Sequence, residues 1–316
     1  MSNLTRRQIL ASTTAAAAGG SLLASSAATA QAADVKTPGK FIYCLNMSTI
    51  MGQELTLEED IDVAGNAGYD AIEPWFRKIN PWVEAGGKLS ELKKRIDGHG
   101  LTIESAIGFA PWVVDDEDKR KAGLEEAKRD MDTIAQLGGK RIAAPPAGTR
   151  DPVDLDKAGA RYRQLLELGD EMGVVPQVEM WGGHPTIGTV EKAVYIALAA
   201  GHPQACFLGD AYHTYKGGSS FDAFRMLGSH SIQTFHINDY PADPPRETIK
   251  DEHRVYPGDG IAPVVELLKT FAELGAYPSL SLEVFNKTYW AQPADEVAKV
   301  GLEKTKACVA AAIGNA

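Results

Sequence analysis

A chain of 316 residues that is 44% hydrophobic can bury a sizeable core, as one large domain or two ordinary ones. Its 32 basic against 42 acidic residues leave a net charge of −10, which argues against a nucleic-acid backbone or an anionic membrane surface as partner.

In chain order, the first segment stands apart from the rest. "TRRQILAS" carries twin arginines, Arg6 and Arg7, followed by an Ala-rich apolar stretch and the small-residue run "AATAQ", which suits cleavage after Ala30. Residues 1–30 are therefore expected to be a twin-arginine export signal. The competing reading, a membrane anchor, is weakened by a stretch that is short and broken by Gly and Ser. Removal would take away two arginines and no acid, leaving 30 − 42 = −12. The expected location is the periplasm, with no stable membrane association after cleavage, and residues 31–39 read as a linker. Three cysteines, Cys44, Cys206 and Cys308, lie far apart with no CxxC spacing, so a disulfide framework is not expected.

From residue 40 to 316, short β-branched or aromatic runs alternate with longer amphipathic ones. The predicted strands are "FIYCLNM" (41–47), "AIEPW" (71–75), "IESAIGF" (103–109), "RIAAPPA" (141–147), "VPQVEMW" (175–181), "CFLGD" (206–210), "IQTFHIND" (232–239) and "SLSLEVF" (279–285). Between and after them lie helical patterns such as "LEEDIDVAGNAG", "KLSELKKRIDGHG", "LDKAGARYRQLLELGDEMG" and "APVVELLKTFAELGA", most ending at a glycine fit for a left-handed C-cap. Eight such units without a Pro/Gly/Ser-rich linker favour a single α/β domain, a (β/α)8 TIM barrel over residues 40–316. A doubly wound open sheet would want a glycine-rich turn after the first strand, and "NMSTIMGQEL" offers none.

Barrel chemistry sits at the C-terminal strand ends. Strands five to eight end with Glu179, Asp210, His236 and Glu283, one ionisable residue each. Each alone reads equally well as a cap or a salt-bridge partner. Together, three carboxylates and an imidazole suit one divalent ion, Mn2+, Co2+, Mg2+ or Zn2+, which would relieve their mutual repulsion.

The combination "QVEMW", "LGDAYH", "FHINDYP…R.YPGDG" and "LSLEVF" resembles the xylose isomerase-like TIM-barrel superfamily of sugar isomerases and epimerases, across about residues 40–312. The resemblance implies that Glu179, Asp210, His236 and Glu283 bind the metal, and that Glu179 and Glu283 also act as base and acid. It implies that His213 of the D-x-x-H motif and Arg254 ahead of P-G-D-G contact substrate. Glu73, after "GYDAI", is expected to orient substrate or a neighbouring group, or else to brace the barrel. Among the aromatic residues near strand ends, Trp112 and Trp181 are candidates for a sugar-stacking wall, with Trp75, Phe109 and Trp290 as further members. The polar, Pro-rich insertion "YPADPPRETIKDEH" reads as a lid.

The implied activity is a metal-dependent isomerase or epimerase that works through an enediolate on a keto sugar or polyol derivative. Expulsion of a β-leaving group would instead make it a dehydratase or lyase on an oxidised sugar or 3-keto-glycoside. Two other classes remain: a periplasmic sugar-binding protein without turnover, and a DNA-repair endonuclease, which the acidic charge opposes. The expected partner is a small carbohydrate, with no nucleic acid, and a homo-oligomer is left open.

Overall fold

The computed structural model describes residues 39–314, so the proposed export signal and nearly all of the linker lie outside the described residues. Eight parallel strands form one curled sheet: β1 (Ile42–Asn46), β2 (Ala71–Glu73), β3 (Thr102–Ile103), β4 (Arg141–Ala144), β5 (Val175–Glu179), β6 (Phe207–Asp210), β7 (Ile232–Ile237) and β8 (Ser279–Leu282). Their order is β3-β2-β1-β8-β7-β6-β5-β4, each strand beside its sequence neighbour, with β1 meeting β8. Between the two ends of this order, the Ala143 N–H donates to the Ala106 carbonyl at 2.9 Å, so the chain just beyond β3 meets β4. This is the TIM-barrel fold expected from the alternating pattern.

The outer helices are α1 (Leu57–Ala67), α2 (Phe76–Glu84), α3 (Leu89–Gly98), α4 (Glu117–Gln136), α5 (Leu155–Met172), α6 (Val190–Ala200), α7 (Ala211–Gly217), α8 (Val264–Glu273), α9 (Lys287–Trp290) and α10 (Ala294–Ile313). Their starts follow local chemistry. Thr56 and Glu59 form a reciprocal capping box on α1, and Asp116, Asp154 and Thr189 accept from the third backbone N–H of α4, α5 and α6. No helix among the described residues is long and apolar enough to cross a membrane.

Two layers follow from the strands' period of two. One set of side chains packs outward against the helices in a continuous apolar layer that includes Leu45, Ile72, Val178, Phe207 and Phe235. The other set points inward, and here it is polar. Gln177 Nε2 reaches across from β5 to Ser105 Oγ (3.4 Å) and Thr234 Oγ1 (3.2 Å), and Ser281 Oγ donates to Glu73 Oε2 at 2.6 Å. A barrel interior is ordinarily filled by branched apolar residues. This one is built to hold charge above it.

Beyond β7, Asp239 organises the loop "YPGDG". Its Oδ2 accepts from the N–H groups of Gly258 and Gly260, both at 3.0 Å, and its Oδ1 from those of Ala262 (2.8 Å) and Tyr240 (2.7 Å). The glycines are required: Gly258 has φ +87°, and a Cβ on Gly260 would sit 2.2 Å from the Tyr240 carbonyl. A paired backbone bridge between Asp239 and Val255 then fixes the residue that follows Arg254.

Removing that carboxylate leaves four N–H groups without an acceptor. Asp239→Ala is expected to destabilise the protein by about 2–4 kcal/mol, read as a lower urea midpoint in chemical unfolding.

Candidate metal centre and sugar pocket

Inward alternation carries the strand-end residues to one place. In register, Asp210 pairs with His236 and His236 with Ser281, so β6, β7 and β8 deliver their polar ends side by side. Asp210, His236 and Glu283 are all buried and each offers a ligand atom within 4.8 Å of the others. Glu179, the fourth expected ligand, stands outside this tight trio. Its Oε1 accepts from Trp181 Nε1 at 2.9 Å, while its Oε2 is enclosed without a hydrogen-bond partner.

His236 is held from behind. Its Nε2 lies 2.9 Å from Glu73 Oε2, which leaves Nδ1 turned toward Glu283 Oε2 at 3.2 Å and Asp210 Oδ2 at 3.8 Å. Glu73 is therefore not a substrate contact. It is fully buried, bound to Asn46 Nδ2 (2.8 Å), Ser281 and His236, and it fixes the imidazole's orientation. Trp112 is also displaced from its expected place: it is buried against Tyr162 with its indole N–H on the Pro145 carbonyl, away from the pocket, because the chain turns outward after Ile107. Asp210 fills both roles considered for it. Oδ1 caps α7 by accepting from the His213 N–H (2.8 Å), while Oδ2 faces Arg254 Nη1 (3.0 Å) and Asn238 Nδ2 (3.2 Å).

Arg254 is buried too, with Nη1 also on Glu283 Oε2 (2.7 Å), Nη2 on Asp251, and its guanidinium 4.5 Å from the Tyr212 ring centroid. His213 meets a conflict of donors. Its Nδ1 accepts from the Gly182 N–H (3.1 Å), which assigns the ring proton to Nε2, and that nitrogen lies 3.0 Å from Arg254 Nη2. With both nitrogens as donors, an acceptor oxygen seated beside the pair and within reach of both would relieve the conflict.

Electrostatics separate the carboxylates. Burial pushes Glu179 up to about 8, with Glu283 adding to the rise and His236 opposing it. Burial also raises Glu283 and Glu73, but the His236 charge outweighs it and holds both below the usual carboxylate range, with Arg254 helping at Glu283. For His236, burial favours the neutral ring, yet Glu283 and Glu73 win and keep it protonated well above the usual imidazole value. Burial lowers His213, and the Arg254 charge adds to that.

The donor set fits a divalent cation. His236 Nδ1 and Glu179 Oε2 are buried polar atoms with no hydrogen-bond partner, a costly state in a protein interior. Both border a mainly oxygen ligand set with a correctly oriented imidazole. Asp210, His236 and Glu283 would hold the ion, with Glu179 beside it.

Above the metal centre opens a cavity of about 550 Å³ with Glu179, His213, Arg254 and Glu283 in its lining. One wall is a chain of rings: Trp290, Phe285, Trp75, Phe109 and Trp181, with successive centroids 6.4, 6.1, 5.4 and 6.2 Å apart. The insertion expected as a lid also lines the cavity, through Lys250, Asp251 and Glu252, and adjoins the Phe285 end of the ring wall through the Glu252–Lys287 pair. It is tied down by α7, since Lys216 Nζ donates to the carbonyls of Arg246 (2.9 Å) and Glu247 (3.1 Å).

The family model described as xylose isomerase-like TIM barrel matches residues 61–308. The chain belongs to this family. An inosose isomerase of Bacillus velezensis is 27% identical over 272 residues, covering 84% of this chain and 96% of the relative. A 3-dehydroshikimate dehydratase of Pseudomonas putida is 22% identical over 253 residues, 78% of this chain and 39% of that protein. The crystal structure of the IOLI protein with a bound zinc atom superposes with a TM-score of 0.81 at 23% identity, covering 87% of this chain and all of that one. Relatives of this family member are thus isomerases and a dehydratase, and a structural neighbour binds a metal.

Three residues central to the site, Asn46, Asn238 and Ser281, escaped the strand-end inventory because it counted only ionisable groups, and Asp251 escaped it because it lies in the insertion after β7 and not at a strand end. Asn46 ends β1 and bridges Glu73 to Glu283 (Nδ2 to Oε1, 3.2 Å). The same rule applied to amides would have flagged both asparagines.

Two outcomes follow for metal binding. Glu73→Gln is expected to weaken zinc affinity roughly tenfold and Glu73→Ala up to about a hundredfold, as for other partners of metal-bound histidines, measured by competition with a chromophoric chelator. At pH 7 His236 carries a proton that a ligand must give up, and Glu179 carries another. Zinc uptake should therefore release about one to two protons per ion, seen as a dependence of calorimetric enthalpy on buffer ionisation heat, and affinity should rise from pH 6 to 8.

Proposed function

We propose that this protein is a divalent-metal-dependent isomerase or epimerase of a keto sugar or polyol derivative, acting through an enediolate. The observation that carries the reading is geometric: two carboxylates, Glu179 and Glu283, line one cavity beside the buried cluster of Asp210, His236 and Glu283. Before a metal binds, burial raises Glu179 to about 8, while at Glu283 burial is outweighed by His236 and Arg254, which lower it.

In this reading Glu283 and Glu179, both in the cavity lining, exchange a proton with the substrate carbon, one removing it and the other returning it. Trp181 fixes Glu179 through its Oε1, leaving Oε2 to carry the transferred proton. His213 Nε2–H and Arg254 Nη2–H converge on a substrate oxygen, the acceptor their juxtaposition lacks. The ring wall takes the C–H face of the sugar and excludes water from the reacting carbon. When bound, the metal supplies Lewis-acid stabilisation of the negative charge that develops on oxygen.

The dehydratase relative from Pseudomonas putida favours a second reading with the same opening step. There the electron pair left on carbon expels a β-hydroxyl or a glycosidic oxygen, and Glu179 protonates the leaving group. The twin arginines near the start support a periplasmic site of action, where keto sugars and glycosides are available.

With metal-loaded protein and an inosose or a 3-keto sugar in D2O, the native chain should incorporate deuterium beside the carbonyl. Glu179→Gln and Glu283→Gln should each lower that rate by about 10²–10⁴-fold, and full exchange by both variants would refute the assignment. An unsaturated product seen by mass spectrometry would select the elimination reading.

A further inference from the structure

The rim of the cavity has a charge pattern that the acid–base centre does not use. Arg150, on the loop after β4, and Lys250, in the insertion after β7, both line it. Neither forms an ion pair or hydrogen bond through its charged group among the described residues, although Lys250 adds its charge to that of Lys287 in lowering the Glu252 carboxyl. Their neighbours do: Lys287 pairs with Glu252, and Arg254 with Asp251. In a chain with ten more acids than bases, two cations left unpaired in one cavity stand out.

The backbone beneath each is fixed. His184, buried, lies with Nε2 3.1 Å from the Thr149 carbonyl while its Nδ1 accepts from the Thr186 N–H at 3.1 Å, so Nε2 is the donor and the residue preceding Arg150 is anchored. Ile249, preceding Lys250, is buried with Tyr212 and Tyr240, and its carbonyl accepts from the Tyr212 hydroxyl at 3.3 Å. Both cations thus project from pinned segments on two different loops into one space, above a floor of carboxylates that repels anions.

We propose that Arg150 and Lys250 recognise an anionic group, carboxylate or phosphoryl, on the part of the substrate remote from the metal centre, making this a selector for acidic sugars. The inference deepens the isomerase reading and names its substrate class. A floor of Glu179 and Glu283 under a basic rim orients such a molecule with its carbonyl end down and its anionic end at the mouth. Neutral sugars would gain only the ring wall and the floor.

The test is a binding comparison on the zinc-loaded full chain by tryptophan fluorescence, since three tryptophans face the cavity. The probes are methyl glucoside, methyl glucuronide and glucose 6-phosphate. At least one anionic probe should bind roughly tenfold more tightly than the neutral one, with the larger gain telling carboxylate from phosphoryl. In R150Q/K250Q, and in 0.5 M salt (roughly a 4 Å screening length), that advantage should vanish. Absence of any anionic advantage, whether by equal affinity or by binding of none of the three, overturns the proposal, as does an advantage that survives in R150Q/K250Q. Deuterium exchange judges the isomerase reading separately: an anionic preference without exchange retires that reading alone, and exchange without preference retires this one.

Discussion

The ion pair between His236 and Glu73 is the contact on which the rest of the site depends. At 2.9 Å and without solvent, it occupies Nε2 and so decides that Nδ1 faces Asp210 and Glu283. Were the ring free to turn, neither nitrogen would be held on the carboxylates of β6 and β8. The pair cannot be isolated either, because a buried carboxylate with one partner keeps unmet acceptor capacity. Asn46 and Ser281 meet it, and each also belongs to a strand that frames the site.

Charge balance sets the next constraint. Glu73, Glu179, Asp210 and Glu283 face one imidazolium and one guanidinium, so full ionisation leaves 2 − 4 = −2 in a space shut from water. Protonation of Glu179 reduces this by one: burial raises all three carboxyls, but His236 and its hydrogen bonds offset that rise at Glu73 and Glu283 and not at Glu179. A dication in place of the His236 proton leaves 2 + 1 − 4 = −1 with every carboxylate ionised. Metal, Arg254 and the proton on Glu179 are thus alternative ways of meeting one electrostatic demand, and changing any one shifts the others. The barrel's polar interior follows from this demand, since an apolar layer beneath could not satisfy Glu73 or hold Gln177 in its cross-barrel bonds.

How much of this was legible in the sequence depends on the range of each interaction. Strand positions followed from β-branched runs, and seven of the eight were placed within a few residues at their ends. β3 is the exception: it pairs only at Thr102–Ile103, because the chain beyond it leaves the sheet to form the cavity edge at Ile107 and Phe109. Helices α2 and α7 are not predicted from the sequence, the first because Pro81 and two aromatics obscure its period, the second because it is only seven residues long and is capped by Asp210, a residue read as a metal ligand. The trio of Asp210, His236 and Glu283 was readable because each lies at a strand end, where topology alone brings neighbours together. Of the readings open for Glu73, orienting a neighbouring group is the one the structure shows, but the sequence could not name that neighbour. Its partner lies 163 positions away on the far side of β1 and β8, and no local pattern encodes that pairing. Trp112 failed for the opposite reason: it was assigned by residue type, and a tryptophan is as useful to a core as to a sugar.

The distribution of ring and charge around the cavity explains why a single barrel end can both grip and discriminate. The aromatic wall comes from the chain after β2, β3, β5 and β8 and offers area without direction, so any sugar with an exposed C–H face gains from it. Direction comes from the other side, where His213 and Arg254 stand on α7 and the loop held by Asp239. Those two elements are joined to each other and to the insertion through Tyr212, Asn238 and Lys216. A substrate oxygen that settles between His213 and Arg254 therefore bears on the same rigid unit that carries Lys250 at the rim. Distance from that oxygen to the rim acts as a ruler, and the wall of rings, indifferent to register, lets the molecule slide until both ends are met.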